Sequence, residues 1–322
     1  MYDFQPSPNI VSDALPSNST AAPHGVTPPF GYFGSKHRIA SKICEMLPPH
    51  NAWVEAFCGS AAVTLSKVPC EIEIINDLDD QIVNLFTQLR DAPQRLLELI
   101  ELTPYARAEF EEAKNKLPDA PALERARRFL VSTMMTVNGS AGSNHAGFSY
   151  SDTYSRGARE ARVNRWYQLP ERLRQVVERL RSVRVEKMDA VELVGKYSDR
   201  PGTLIYLDPP YLMDRQHGYT KDANTEAFHK KLLETCNAAK CMVLISGYKN
   251  PLYSKLLNKG DGWITKTLAT TTRGTKGVDL ERTEVFWMNE VFTRAAKNNR
   301  VPVSLSAREK ELNKINPQRG LK

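Results

Sequence analysis

The sequence predicts an α/β fold: a mostly parallel sheet with helices on both faces, interrupted by a mostly helical insertion. Three observations lead there. Short apolar runs at Trp53–Phe57, Glu71–Asp77, Thr203–Leu207 and Met242–Ile245 have the length and composition of buried strands. Segments with apolar residues three and four apart separate them, the alternation that builds an open sheet covered on both sides. From about Pro104 to Arg181 the helical pattern continues without a convincing central strand, which marks an insertion.

In chain order, Trp53–Phe57 reads as a buried strand, a tight turn follows through Gly59, and Ser60–Ser66 starts a helix. Glu71–Asp77 alternates and then turns apolar, a second strand ending on an acid. Leu78–Leu102 has helical spacing, interrupted at Pro93 because proline lacks the amide hydrogen a helix interior uses. Leu123–Val137 is another helix, ending in the loop Asn138–Asn144. Pro170–Ser182 is amphipathic, with Leu173, Val176, Val177 and Leu180 on one face and arginines elsewhere. Val183–Val185 is a further strand, and Ile264–Leu268 with Glu284–Met288 form a closing antiparallel pair.

Composition narrows the class. The 322 residues are 41% hydrophobic and 25% charged, too apolar for a globally disordered chain. No run of about eighteen apolar residues is present to cross a membrane. Cys44, Cys58, Cys70, Cys236 and Cys241 are odd in number and scattered, without C-x-x-C spacing or a neighbouring histidine. That argues against a disulfide framework or structural zinc, and makes a reduced cytoplasmic protein the expectation. Residues 1–27 hold no Lys or Arg and four prolines, the composition of a disordered tail rather than of a secretory leader.

Charge is unevenly placed. Ser155–Arg184 contains nine arginines against three glutamates, and Val291–Lys322 eight basic residues against two acidic ones. Each segment is thus +6, and taking both from the overall +7 leaves −5 on the remainder. The internal cluster, which also holds Trp166 and Tyr167, is a candidate phosphate-contacting surface, because the guanidinium fork matches phosphate oxygens. The bland reading is a solvated helix face. The second segment reads as a basic C-terminal tail.

Four segments carry chemistry at strand ends or loops, where open α/β sheets bind ligands. They are Pro29–Lys36, with Tyr32, Gly34 and Lys36; Glu55–Ala61, with Phe57 and Gly59; Asn76–Asp77; and Leu207–Tyr211. Gly59 alone is weak, one glycine where a dinucleotide fingerprint has three. Asp77 alone is weaker, because acids after strands often cap helices. Together they fit a nucleoside cofactor, with backbone approach at the turn and a carboxylate for two ribose hydroxyls. Asp208-Pro209-Pro210-Tyr211 is the strong signal. Two prolines remove two donors and stop the strand, so an acid, free carbonyls and a ring converge at its carboxyl end. A nucleobase extruded from its stack and bearing an exocyclic amine needs such acceptors and such a flat surface.

In this order the four segments resemble the Dam-type DNA N6-adenine methyltransferase family, the alpha group of amino-methyltransferases. Tyr32-Phe-Gly34-Ser35-Lys36 is similar to the family's aromatic-x-Gly-Gly-Lys segment, with Ser for the second Gly. Glu55-Ala-Phe57-Cys-Gly59-Ser-Ala61 is similar to its Glu-Pro-Phe-x-Gly-x-Gly turn, with Ala for Pro and for the last Gly. The resemblance covers about Phe30–Met288 and is slight within the insertion. It implies a Rossmann-like S-adenosylmethionine-dependent methyltransferase sheet, with a catalytic domain over 28–103 and 183–290. Residues 104–182 become a target-recognition insertion and 291–322 a tail.

The same resemblance implies site roles. Lys36, with Tyr32, would hold the methionine carboxylate of S-adenosylmethionine. Phe57 and Gly59 would pack near it, Asp77 would bind its ribose, Asp189 its adenine, and Asp208 would adjoin it. Asp208, Pro209, Pro210 and Tyr211 would hold a target adenine in double-stranded DNA, without a metal. Asn138 lies where the family probes neighbouring bases; Arg156, Arg159, Arg162 and Arg165, with the basic loop Arg273–Lys276, are candidate DNA contacts. One unit can extrude one base, so a monomer suffices, and a dimer on DNA stays open. N4-cytosine methylation is the nearest alternative, since its amine poses the same chemical problem. A catalytically silent DNA-binding module on the same fold is the other.

Overall fold

Four strands rich in apolar residues form the centre of the sheet because both of their faces are covered. The computed structural model describes residues 24–303 apart from 33, 116, 138–146, 153, 157, 213–224 and 274–278, with backbone alone at 271–273 and 279–282. The chain opens with a short helical turn, Lys36–Arg38, and α1 (Ala40–Cys44). Then come β1 (Ala52–Glu55), α2 (Ala62–Ser66), β2 (Ile72–Asn76), α3 (Asp80–Asp91) and α4 (Pro93–Leu102). The break between α3 and α4 falls at Ala92, directly before Pro93, as proline's missing donor requires.

The insertion follows with α5 (Arg107–Lys114), α6 (Ala122–Met134), a hairpin of β3 (Ser155–Arg156) and β4 (Arg159–Glu160), α7 (Ala161–Tyr167) and α8 (Leu169–Leu180). The sheet resumes with β5 (Val183–Glu186), α9 (Ala190–Tyr197), β6 (Thr203–Leu207), α10 (Glu226–Asn237), β7 (Met242–Gly247) and α11 (Pro251–Leu256). It closes with β8 (Ile264–Arg273), β9 (Asp279–Met288) and α12 (Glu290–Asn298).

The seven-stranded order is β5-β2-β1-β6-β7-β9-β8. β9 alone runs antiparallel to its neighbours, inserted between β7 and β8. This is the Rossmann-like α/β sheet expected from the sequence. Its strand order reverses at β1 and β6, which pair in parallel, so the crevice beyond their carboxyl ends is the natural ligand site. Alternation along the strands divides the core: Val54, Ile205 and Val243 face α9–α11, while Trp53, Leu204 and Met242 face α1, α2 and α12.

Three boundaries differ from expectation. The insertion shares the main core, because one cluster runs from Leu65 and Ile75 through Leu85 to Phe129, Leu130, Trp166 and Leu173. At the amino end, Val26 is buried and its amide donates to the Leu65 carbonyl, so part of the stretch read as a tail packs into the core. At the other end, Val291–Asn298 is helical: Asn289 caps α12 and Phe292 and Ala295 pack under the sheet. An amphipathic turn among many basic residues conceals that helix in the composition.

The arginine cluster also divides. Arg179, read as part of the polar face of α8, is fully buried and grips Glu73 on β2 through Nη1 and Nη2 at 2.5 and 2.9 Å. It flanks the apolar stripe of α8, close enough to β2 for its long stem to carry the charge inward.

Candidate active site

The carboxyl ends of β1, β2 and β6 and the Tyr32–Lys36 segment surround one open cleft. Tyr32, Lys36, Phe57, Gly59, Asp77 and the whole Asp208–Tyr211 segment line it, so four segments distant in sequence meet.

The glycine turn is shaped by backbone geometry. Gly59 has φ +48°, and a Cβ there would lie 3.0 Å from the Tyr32 ring. Close approach and positive φ both call for glycine. Ala61, where the resemblance places another glycine, also adopts the left-handed region at φ +54°. The Gly59 amide donates to Asp77 Oδ2 (2.9 Å), and the Asp79 amide to Asp77 Oδ1 (3.0 Å). Burial raises the Asp77 pKa against these two bonds. Asp77 lines the cleft, and its two oxygens are the acceptors that a ligand with two vicinal hydroxyls would need. Ser35 Oγ lies 2.9 Å from Ser60 Oγ and ties the lysine segment to this turn.

Glu55 sits beneath the turn, fully buried. Its carboxylate accepts from the Thr64 amide (3.0 Å) and from Thr64 Oγ1, which in turn accepts from Trp53 Nε1 (2.7 Å). Burial pushes the Glu55 carboxyl up to about 7, with the Thr64 bonds opposing. Cys58 within the turn is inert, since burial raises its thiol well above the ordinary range.

Asp208 is held from three sides. Oδ2 pairs with Lys36 Nζ at 2.7 Å, Oδ1 accepts from Ser246 Oγ (2.9 Å), and Tyr211 Oη stands 3.2 Å from Oδ1. Lys36 spends its other hydrogens on Tyr211 Oη (2.7 Å) and the Gly34 carbonyl (3.2 Å). All three ammonium donors are therefore engaged. The sequence-based role of Lys36 as a carboxylate holder would require exchanging one of them. Burial works against the ammonium, but Asp208 and Glu284 outweigh it and the Lys36 pKa is raised.

Several neighbours escaped sequence reasoning. Ser246 and Glu284 reach Asp208 and Tyr211 from β7 and β9, and only the sheet order brings them there. Asn76 clamps the strand ends, donating to the Ala56 and Met188 carbonyls and accepting from the Met188 amide. His229 is buried behind the proline turn with Nδ1 2.8 Å from Tyr253 Oη. Burial pushes it down to about 4, with the Pro210 backbone pulling the other way.

Other expected residues fall elsewhere. Asp189 lies outside the cleft lining and caps α9, accepting from the Val191 and Glu192 amides, the ordinary employment of an acid before a helix. In the insertion, Arg156 stands over Tyr154 and Arg159 over Tyr167, whose ring centroid is 4.1 Å away. Arg162 is half-buried, and Arg165 Nη2 is 3.5 Å from Met134 Sδ. Among the described residues no carboxylate pairs with these four, whereas Arg174, Arg181 and Arg184 pair with Glu101, Glu178 and Glu186. Arg273 ends β8 with only its backbone described; Asn138 and Lys276 lie outside the described residues.

The chain is 24% identical over 262 residues to a type II methyltransferase of Lactococcus lactis subsp. cremoris, M1.LlaDCHI, covering 76% of this chain and 88% of that one. Two solved structures align at 8% identity and a TM-score of 0.32, too low to carry an argument. They are a precorrin-8w decarboxylase from Methanobacterium thermoautotrophicum (78% of this chain, 88% of that one) and a precorrin-6y C5,15-methyltransferase from Geobacter metallireducens (78% and 85%). The model of the D12 class N6 adenine-specific DNA methyltransferases matches residues 32–272, a span that holds every cleft segment together with the insertion, and the chain belongs to that family.

Proposed function

We propose that this enzyme transfers a methyl group from S-adenosylmethionine to N6 of an adenine extruded from double-stranded DNA, within a specific sequence. The observation that carries the reading is the convergence of Asp208, Tyr211, Asp77 and Gly59 on one cleft at the switch point of the sheet. Asp77 and the Gly59 turn suit the ribose, and Tyr32 and Phe57 provide flanking ring surface. Among the described residues lining the cleft Lys36 is the cation, and by exchanging one of its three bonds it would hold a methionine carboxylate. When bound, S-adenosylmethionine supplies a methyl group already activated by positive sulfur.

The protein then has to position a poor nucleophile, since the adenine amine delocalises its lone pair into the ring. Asp208 Oδ2 keeps a lone pair beyond its bond to Lys36 and accepts one amino hydrogen. The Pro209 carbonyl accepts the other, which favours a tetrahedral nitrogen with a localised pair. The N–C bond forms as the methyl–sulfur bond breaks, sulfur keeps the electron pair, and Asp208 holds the departing proton for solvent. Orientation of this kind supplies up to roughly 7–11 kcal/mol. Tyr211 stacks on the base and offsets part of the few kcal/mol that extrusion costs.

The insertion would contact the duplex through Arg156, Arg159, Arg162 and Arg165, whose charge is not cancelled by described carboxylates. Incubation with labelled S-adenosylmethionine and duplex DNA, followed by nucleoside analysis, tests the reading. N6-methyladenine in one sequence context is expected. N4-methylcytosine would overturn the base assignment, and no label in any nucleic acid would favour the silent module.

A further inference from the structure

We propose that Glu284 is a positioning residue for methyl transfer, holding the Tyr211 hydroxyl and sharing the Lys36 ammonium so that Asp208 stays free to accept the target amine. The proposal rests on the reading of Asp208 given above. Glu284 opens the apolar end of β9, where Val285 pairs with Gly247 of β7, and it is only 5% exposed. Its Oε1 accepts from Tyr211 Oη at 2.8 Å and lies 3.5 Å from Lys36 Nζ. A carboxylate buried in a sheet is costly, and an apolar residue would serve packing at least as well.

Proton bookkeeping shows what it does. Lys36 has no acceptor, so its bond to Tyr211 Oη must use the phenol oxygen. The single phenol hydrogen must then go to a carboxylate, and Glu284 is nearer than Asp208 (2.8 against 3.2 Å). Tyr211 is thereby pinned at its hydroxyl, with its ring 4.4 Å from that of Tyr248. Without Glu284 the phenol hydrogen would turn to Asp208 Oδ1, and Lys36 would pair with Asp208 alone. Both changes weaken Asp208 as an acceptor. The groups facing this cluster are Lys36 from the first segment, Glu55 at the end of β1, Asp208 and Tyr211 from the proline turn, Tyr206 on β6, Tyr248 after β7 and Tyr253 on α11.

The test compares Glu284→Gln and Glu284→Asp with the native enzyme, using S-adenosylmethionine and duplex DNA at saturation. Glu284→Gln should lower kcat by roughly 10–100-fold, the scale of a misplaced reacting group, with KM for both substrates held within about threefold. Its acidic pH limb should move to lower pH, because the Glu284 carboxyl, raised by burial, no longer titrates there. Glu284→Asp, which keeps the charge, should return the limb toward the native position. An unchanged kcat and pH limb in Glu284→Gln would overturn the proposal. So would a loss of activity that only tracks the unfolded fraction in thermal melts, which would assign Glu284 to packing. Normal turnover by Asp208→Ala, measured alongside, would instead refute the reading of Asp208.

Discussion

Two buried ion clusters use the same chemistry with opposite balance. Lys67 and Arg179 enclose the single carboxylate of Glu73, all three at most 2% exposed. Asp208 and Glu284 share the single ammonium of Lys36, with Asp208 17% exposed at the cleft. In the first cluster burial disfavours the Glu73 charge, but Arg179 and Lys67 outweigh it and the pKa is lowered. In the second, burial raises the Glu284 pKa and Lys36 only partly opposes it. A closed cluster with excess cation fastens α8 to β2. An open cluster with excess anion retains acceptor capacity for a ligand. Balance and access, more than residue type, separate a fastening from a reactive site.

Breaking the fastening should have the largest effect. Arg179→Ala leaves Glu73 buried with one partner fewer and frees the Thr64 carbonyl that Arg179 Nη2 holds at 2.8 Å. Removing one member of a buried pair costs about 3–5 kcal/mol. Urea unfolding should register that loss, while kcat per folded molecule stays close to native. A kcat loss beyond the unfolded fraction would show that the closed cluster also tunes the site.

The open cluster should respond in the reverse way. Asp208→Ala should reduce kcat by about 10²–10³-fold, the scale of a lost transition-state hydrogen bond, with DNA binding retained in a mobility-shift assay. Its stability should change little or rise, because Glu284 and Lys36 remain as a balanced pair. A fall in stability as large as that of Arg179→Ala would erase the distinction between the clusters.

Glu55 adjoins the closed cluster, since it holds Thr64 while the Thr64 carbonyl receives Arg179, and it feels the charge of Asp208 in the open one. Its carboxyl rises from 4.5 to about 7 in the fold, so the folded state favours the protonated form. The stability this contributes is present below pH 4.5 and is lost as pH rises through 7. Relative to Glu55→Gln, the native protein should lose about 3 kcal/mol of unfolding free energy across that interval. Parallel stability curves from chemical denaturation at pH 4.5 and pH 8 would contradict a protonated Glu55.

These contrasts also mark what a sequence can reveal. β1, β6 and β7 were legible because burial on both faces leaves an uninterrupted apolar run. Asp208–Tyr211 was legible because its constraint is local, two prolines stopping a strand beside an acid. Glu284 and Ser246 were not, because they reach Asp208 only through the placement of β7 and β9 in the sheet. A lone acid opening the apolar run Val285–Met288 was the available hint. Arg179 was misread because helical periodicity separates apolar from polar residues, yet a long stem at the edge of the stripe can carry charge inward. Asp189 shows how a motif position can also carry a local duty, since its side chain caps α9.

The smallest contrast extends the comparison to the insertion, where paired and unpaired arginines stand side by side. Arg174 is bound to Glu101 at 2.6 Å and to Glu171 at 3.3 Å, while Arg159 rests on the exposed face of Tyr167. A guanidinium held by two carboxylates has little net charge to offer a phosphate, whereas one resting on a ring keeps its donors free. If Arg159 contacts the DNA backbone, Arg159→Ala should weaken binding to all sequences alike and reduce the salt slope of log K by about 1. Arg174→Ala should leave that slope unchanged. Equal slopes for the two variants would mean that total charge governs binding, whereas a loss confined to one base pair would make Arg159 a reader of sequence.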